Sequence, residues 1–123
     1  MSRGFRVETR GVNQLRKRLR ELSSEVRDGA IAAVTEAGDS VAKDMENNVP
    51  VDQGDLRSSI SSEVNRGNLV AEVGPRGSDV YYGYFQEFGT ANMPANPFAQ
   101  PAYEAERKRF PGRMRKHVGK RLR

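Results

Sequence analysis

Along the first quarter of the chain, Val12, Leu15, Leu19, Leu22 and Val26 recur at steps of three and four. Arg16, Lys17, Arg18, Arg20, Glu21 and Glu25 fill the other faces. The spacing predicts an amphipathic helix with a narrow apolar seam. A second series, Ile31, Val34, Gly38, Val41, Met45 and Val49, follows out of phase with the first. The slip near Asp28-Gly29 predicts two helices, or one helix with a kink. Gly38 lies on the apolar face, where it lowers helix propensity. Its use there is close approach of another backbone, within the fold or across subunits. Asn47-Asn48 before Val49-Pro50 ends the stretch, because a residue preceding proline is pushed out of the α region.

Asp52-Gln53-Gly54-Asp55 then reads as a turn, with Gly54 supplying a conformation that other residues resist. Beyond it the period changes to two. Ile60, Ser62 and Val64, then Leu69, Ala71 and Val73, alternate with polar neighbours across Arg66-Gly67-Asn68, which predicts a β-hairpin. Gly74-Pro75-Arg76-Gly77-Ser78-Asp79 reads as an exposed, mobile loop. Tyr81, Tyr84, Phe85 and Phe88 return to helical spacing and hold four of the nine aromatics, predicting a short helix closed by Gly89. Ala91 to Pro101, with three prolines and two asparagines, is an extended loop. Pro101 suits the first turn of a last helix, with Ala102, Tyr103, Ala105 and the stem of Arg109 on its buried side. Pro111-Gly112 breaks that helix and leaves Arg113 to Arg123 as a basic, partly disordered tail. The expected fold is α+β. Two N-terminal amphipathic helices pack on a small antiparallel sheet, followed by a short aromatic helix and a C-terminal helix with its basic tail. One domain spans residues 1–110, and residues 111–123 form the tail.

At 123 residues the chain fits one domain, and 36% apolar with 30% charged content implies a modest core beneath a large interactive surface. The absence of cysteine excludes disulfides and thiolate metal sites. No apolar run reaches the roughly 18–20 residues of a membrane span. The start, Met1 to Arg6, lacks the apolar stretch of a signal peptide. The expectation is a soluble protein made in the cytoplasm, with no membrane partner.

The net charge of +5 conceals a strong polarity. Residues 1–27 carry eight Lys/Arg against three Glu, residues 28–106 four against thirteen acids, and residues 107–123 nine against none. Such a chain meets anions, either phosphate or the acidic face of a neighbouring subunit.

Catalytic groups are scarce. His117 is the only histidine, in a basic stretch with no base or nucleophile beside it in sequence. Ser58, Ser59, Ser61 and Ser62 lack a histidine partner, so a serine triad is excluded. Asp52 and Asp55 are too few for a calcium site and suit local bonds, Asp52 across the turn and Asp55 there or to Arg57. Glu87, between Phe85 and Phe88, is expected on backbone amides or an arginine, because burying it unpaired is costly. It reads as a structural or intersubunit fastener. No enzyme activity and no cofactor are expected.

Two segments carry a family resemblance. Pro50, Val51, Asp52, Gly54, Leu56, Arg57 and Ser59 form the first, and Glu87-Phe88-Gly89-Thr90 followed by Pro97, Phe98, Pro101 and Ala102 the second. In this order they resemble the head–tail joining, or tail-completion, neck proteins of long-tailed double-stranded DNA bacteriophages. Gln53 and Asp55 depart from the usual turn, and Ala99 and Gln100 replace a frequent leucine and arginine. The resemblance runs from about residue 10 to 105. It implies a virion subunit forming a ring, hexameric in number, between capsid connector and tail tube and around the DNA path. Its partners would be itself, neighbouring connector, tail-terminator or tail-tube proteins, and the viral DNA. Pro50, Asp52, Gly54, Leu56, Arg57, Glu87, Phe88, Gly89, Thr90, Pro97, Phe98 and Pro101 become candidate interface or structural residues. Within the Asn92-to-Pro101 loop, Phe98 is the expected apolar anchor between subunits, and acidic middles and basic ends of adjacent copies pair in register.

The alternative is a nucleic-acid-binding module. It would use Arg107, Lys108, Arg109, Arg113, Arg115, Lys116, Lys120, Arg121 and Arg123 for sequence-independent phosphate contact.

Overall fold

The computed structural model of the chain describes residues 6–7, 24–50 and 53–121. The first predicted seam, up to Leu22, lies outside the described residues, as do Val51, Asp52 and Arg123.

Helix α1 runs unbroken over Ser24–Asn48. Its inward stripe is Val26, Ala30, Ala33, Val34, Ala37, Gly38, Val41, Ala42 and Met45, all buried at i, i+3 and i+4 steps. The break expected near Asp28-Gly29 is therefore absent. Alanines and Gly29 carry the stripe through the slip, and a reading of the larger aliphatic residues alone loses them. Gly38 makes a close approach within the fold, to side chains of the sheet rather than to its backbone. A Cβ there would collide with Ser62 Oγ and stand 3.1 Å from the Ala71 Cβ.

After Val49, the Gln53 N–H bonds the Pro50 carbonyl at 2.9 Å and a short helix α2 covers Gly54–Ser59. This corrects the turn expectation at Gly54 and Asp55. Gly54 has no positive φ and meets nothing within 4 Å, so no special conformation is used there. Ser58 and Ser59 close the helix by donating to the carbonyls of Gly54 and Leu56, and Leu56 points into the core.

The hairpin forms as predicted. Strand β2 (Ser61–Asn65) pairs antiparallel with β3 (Val70–Gly74), with Ser62 opposite Val73 and Val64 opposite Ala71. Its turn places Leu69 at φ 53°. A two-residue strand β1 (Arg6–Val7) takes the other edge of β3, giving the order β1-β3-β2. The segment after β3 is not the exposed loop expected. Gly74 and Pro75 are buried. Arg76 ties the segment down through its N–H to the Ser59 carbonyl, its Nε to Ser61 Oγ and its Nη2 to the Glu72 carbonyl.

Helix α3 (Val80–Phe88) matches the aromatic helix predicted, and Gly89 closes it at φ 78° with its N–H on the Phe85 carbonyl. The last helix, α4, spans Ala99–Arg121 without interruption. The tail expected from residue 111 is thus helical through Arg121. Pro111 and Gly112 lie inside a helix whose Phe110, Met114 and Val118 pack on the core. Helix α4 lies along α1, and α1 covers the sheet. Val41, Met45, Leu56, Val73, Phe98 and Ala102 form the centre of one core.

Candidate assembly interface

Helix α3 is turned inside out. Its buried residues are Gly83, Gln86 and Glu87, whereas Tyr81, Tyr82, Tyr84, Phe85 and Phe88 are 73, 63, 55, 45 and 61% exposed. Packing explains the inward side. A Cβ on Gly83 would lie 2.6 Å from the Pro75 ring and 3.4 Å from Leu56 and Phe98, so only glycine lets this helix approach so closely.

The inward polar groups are fully used. Glu87 Oε1 accepts the N–H groups of Phe98 and Ala99 at 2.9 and 2.8 Å, and Oε2 that of Gln100 at 3.0 Å. One carboxylate thereby caps the start of α4, where unpaired N–H groups and the helix dipole favour negative charge. Gln86 donates from Nε2 to the Asn96 carbonyl, and its own carbonyl accepts the Asn96 N–H. The backbone-amide expectation for Glu87 is met, eleven to thirteen residues away in sequence.

Between α3 and α4, Thr90 to Pro97 is exposed, braced by a Thr90–Met93 bridge. Gly89 tolerates no Cβ, with Ala95 N at 2.8 Å and Met93 O at 2.9 Å of that position. Phe98 is a correction. It is 0% exposed in the protomer core, so it does not anchor a neighbouring subunit; helix α4 starts directly after it and carries it inward. Pro97 and Pro101 remain exposed.

The first motif is structural in its contacts. Leu56 is buried, and Arg57 donates from Nη2 to the Val49 carbonyl at 2.9 Å rather than pairing with Asp55. Pro50 is half-buried and Gly54 exposed.

Of the nine basic candidates, the Arg121 side chain and Arg123 lie outside the described residues, and the other seven separate into two groups. Arg113 makes a bidentate pair with buried Glu106, at 2.6 and 2.9 Å, and reaches Glu36 at 2.7 Å. The Glu106 hydrogen bonds push its pKa further up, against burial. Arg109 reaches Asp44 and Ser40, and Lys116 reaches Glu36. Arg107, Lys108, Arg115 and Lys120 are exposed and make no ion pair among the described residues. His117, read as lacking a partner, bonds Glu36 through Nε2, because continuation of α4 carries it back to α1. That bond, with help from Lys116 and against burial, lowers the Glu36 pKa from 4.5 to about 2.

Tyr81, Tyr82, Tyr84 and Phe85 were absent from the sequence-derived site. The available signal was their spacing around Gln86-Glu87: if the polar pair faces inward, the rings face out. Among the described residues no group of three or more His, Asp or Glu forms a metal-holding cluster, and no helix is long and apolar enough to cross a membrane.

A family model described as "Bacteriophage HK97-gp10, putative tail-component" matches residues 13–89, from the predicted N-terminal seam to the end of α3. No curated protein and no solved structure matches the chain. The Pro97-Phe98 segment and α4 lie beyond the matched region. Phage tail components are virion structural proteins that work in contact with other phage structural proteins. With well over half its length in the match, the chain belongs to this HK97-gp10-like family.

Proposed function

We propose that the protein is a non-catalytic subunit of the phage neck that closes into a homo-oligomeric ring between capsid connector and tail tube, around the DNA path. The observation that carries this reading is the exposed aromatic face of α3. At about 200 Å² per ring, the five fractional exposures amount to roughly 600 Å² of apolar surface. A standard interface takes about 800 Å² from each partner. At about 25 cal/mol per Å², covering the patch contributes on the order of 15 kcal/mol, comparable to the cost of association. A patch of this size is at the upper limit for a free monomer. The copy number of six comes from the family resemblance in the sequence. The engagement of His117 by Glu36, and of the Ser58 and Ser59 hydroxyls by carbonyls, supports a role without turnover.

Light scattering of the purified full chain over a concentration series, with electron microscopy, tests the reading. The expected product is an annulus of about six copies. A monodisperse 13.7 kDa species at high concentration overturns it.

The nucleic-acid reading keeps one specific support, the four exposed cations Arg107, Lys108, Arg115 and Lys120. Four phosphate contacts give a log–log salt slope of about −3.6 for duplex DNA. Three more contacts, from Arg109, Arg113 and Lys116 leaving their acidic partners, would steepen the slope to about −6.3.

A further inference from the structure

We infer that the aromatic face of α3 in one copy seats on the outer face of α4 in the next, making the subunit contact head to tail. This rests on the ring reading above and names the surfaces that meet.

The two surfaces are complementary in kind. Helix α3 offers rings with no charged side chain among them, since Glu87, its one acid, is turned inward. Aromatic faces carry partial negative charge and attract guanidinium and ammonium groups laid over them. The outer face of α4 offers such groups without ion-pair partners among the described residues. Steps of four, three and four bring Lys108, Gly112, Arg115 and Gly119 into one stripe, opposite the side that carries Ala102, Glu106 and Arg113. Lys108 and Arg115 are exposed and make no ion pair among the described residues, whereas Arg109, Arg113 and Lys116 are held by acids.

The glycines of that stripe point the same way. Glycine is the poorest ordinary helix former, and no described residue uses its small size here. Among the described residues, a Cβ on Gly112 would meet only the Arg115 guanidinium, at 3.8 Å, and one on Gly119 nothing within 4 Å. Flat rings approaching the helix between two cations would use it. The large exposed apolar residues among the described ones are the α3 aromatics and Met93. A two-fold contact of aromatic face on aromatic face would leave the α4 cations unused. A contact between unlike surfaces uses both, and contacts of this heterologous type generate rings where the rotation between copies closes.

The chain contains no cysteine, so single thiols report contacts cleanly. Full-length Phe85→Cys and Arg115→Cys chains, distinguishable by mass, are mixed, allowed to exchange and oxidised with oxidised glutathione. The expected result is a mixed disulfide at least tenfold more abundant than either homodimer. In parallel, Lys108→Glu with Arg115→Glu is expected to weaken assembly at least tenfold in sedimentation. Both changes lie on an exposed surface, and thermal melts verify folding. Self-linked Phe85→Cys without the mixed product overturns the inference in favour of two-fold pairing. Assembly without either cross-link overturns the contact and leaves the ring standing. No assembly at all overturns both. A charge-reversed chain that assembles normally and loses only duplex-DNA retention assigns the cations to phosphate and overturns the inference.

Discussion

Replacing Glu87 by alanine tests the contact on which the C-terminal half depends. The carboxylate is 6% exposed and accepts three backbone N–H groups at the start of α4. Without it, the donors of Phe98 and Ala99 are left buried, at about 1–3 kcal/mol each. The Gln100 donor is part-buried, so water recovers most of its bond. Losing a negative charge at the helix start adds about 0.5–1 kcal/mol. The sum is about 2.5–7 kcal/mol, a large share of the roughly 5–15 kcal/mol that holds a domain together. Glutamine keeps the shape and one oxygen. With that oxygen toward Phe98 and Ala99, two of three bonds survive, and the cost falls to about 1–2 kcal/mol. The assay is urea unfolding followed by far-UV circular dichroism, at concentrations low enough to keep assembly out of the measurement. An alanine variant within about 1 kcal/mol of the parent would refute the reasoning. So would a glutamine variant less stable than the alanine one, because no capping geometry gives that order.

Two further predictions concern other contacts. Ser62 Oγ is buried, has no hydrogen-bond partner among the described residues and faces Gly38; Ser62→Ala should leave stability unchanged or raise it by up to about 1 kcal/mol. Gly38→Ala should cost about 1–3 kcal/mol, and less in the Ser62→Ala background, with a coupling of at least about 0.5 kcal/mol in a double-mutant cycle; strict additivity would place the two residues out of contact. Glu36, lowered from 4.5 to about 2, stabilises the fold fully above pH 4.5 and progressively less as pH falls toward 2. Acid titration of Glu36→Gln should show a flatter decline over that window, and an unchanged profile would contradict the His117 and Lys116 contacts.

Where periodicity was carried by large residues, the fold was legible. The hairpin and α3 follow from Val64, Leu69, Val73 and the tyrosine–phenylalanine spacing. The continuity of α1 was not, because its phase is kept by alanines and Gly29, which a pattern of larger side chains skips. The length of α4 was hidden for a different reason. Pro111 and Gly112 oppose a helix by about 3 and 1 kcal/mol, and local reading ends it there. Partners more than sixty residues away outweigh that cost: Glu36 gathers Arg113, Lys116 and His117, and Asp44 holds Arg109. At the site, the chemical need of Glu87 was readable from the cost of burying a carboxylate, but its donors were not. Phe98 misled because three nearby prolines suggest a projecting loop, while the cap formed by Glu87 starts a helix directly after it and draws the ring inward.

The inverted polarity of α3 then has a physical logic. A helix fixed to its own core by apolar side chains cannot also present them to a neighbour. Here the fixing is done by a small residue and hydrogen bonds instead. Gly83 lets the helix lie against Pro75, Leu56 and Phe98, Gln86 binds Asn96 through side chain and backbone, and Glu87 holds the start of α4. These polar bonds are directional, so they fix the rotation of the helix about its axis. That rotation decides which side the five aromatic rings take. The same bonds that keep the protomer together therefore hold these rings outward, and the assembly proposed above would use the opposite face of the same nine residues.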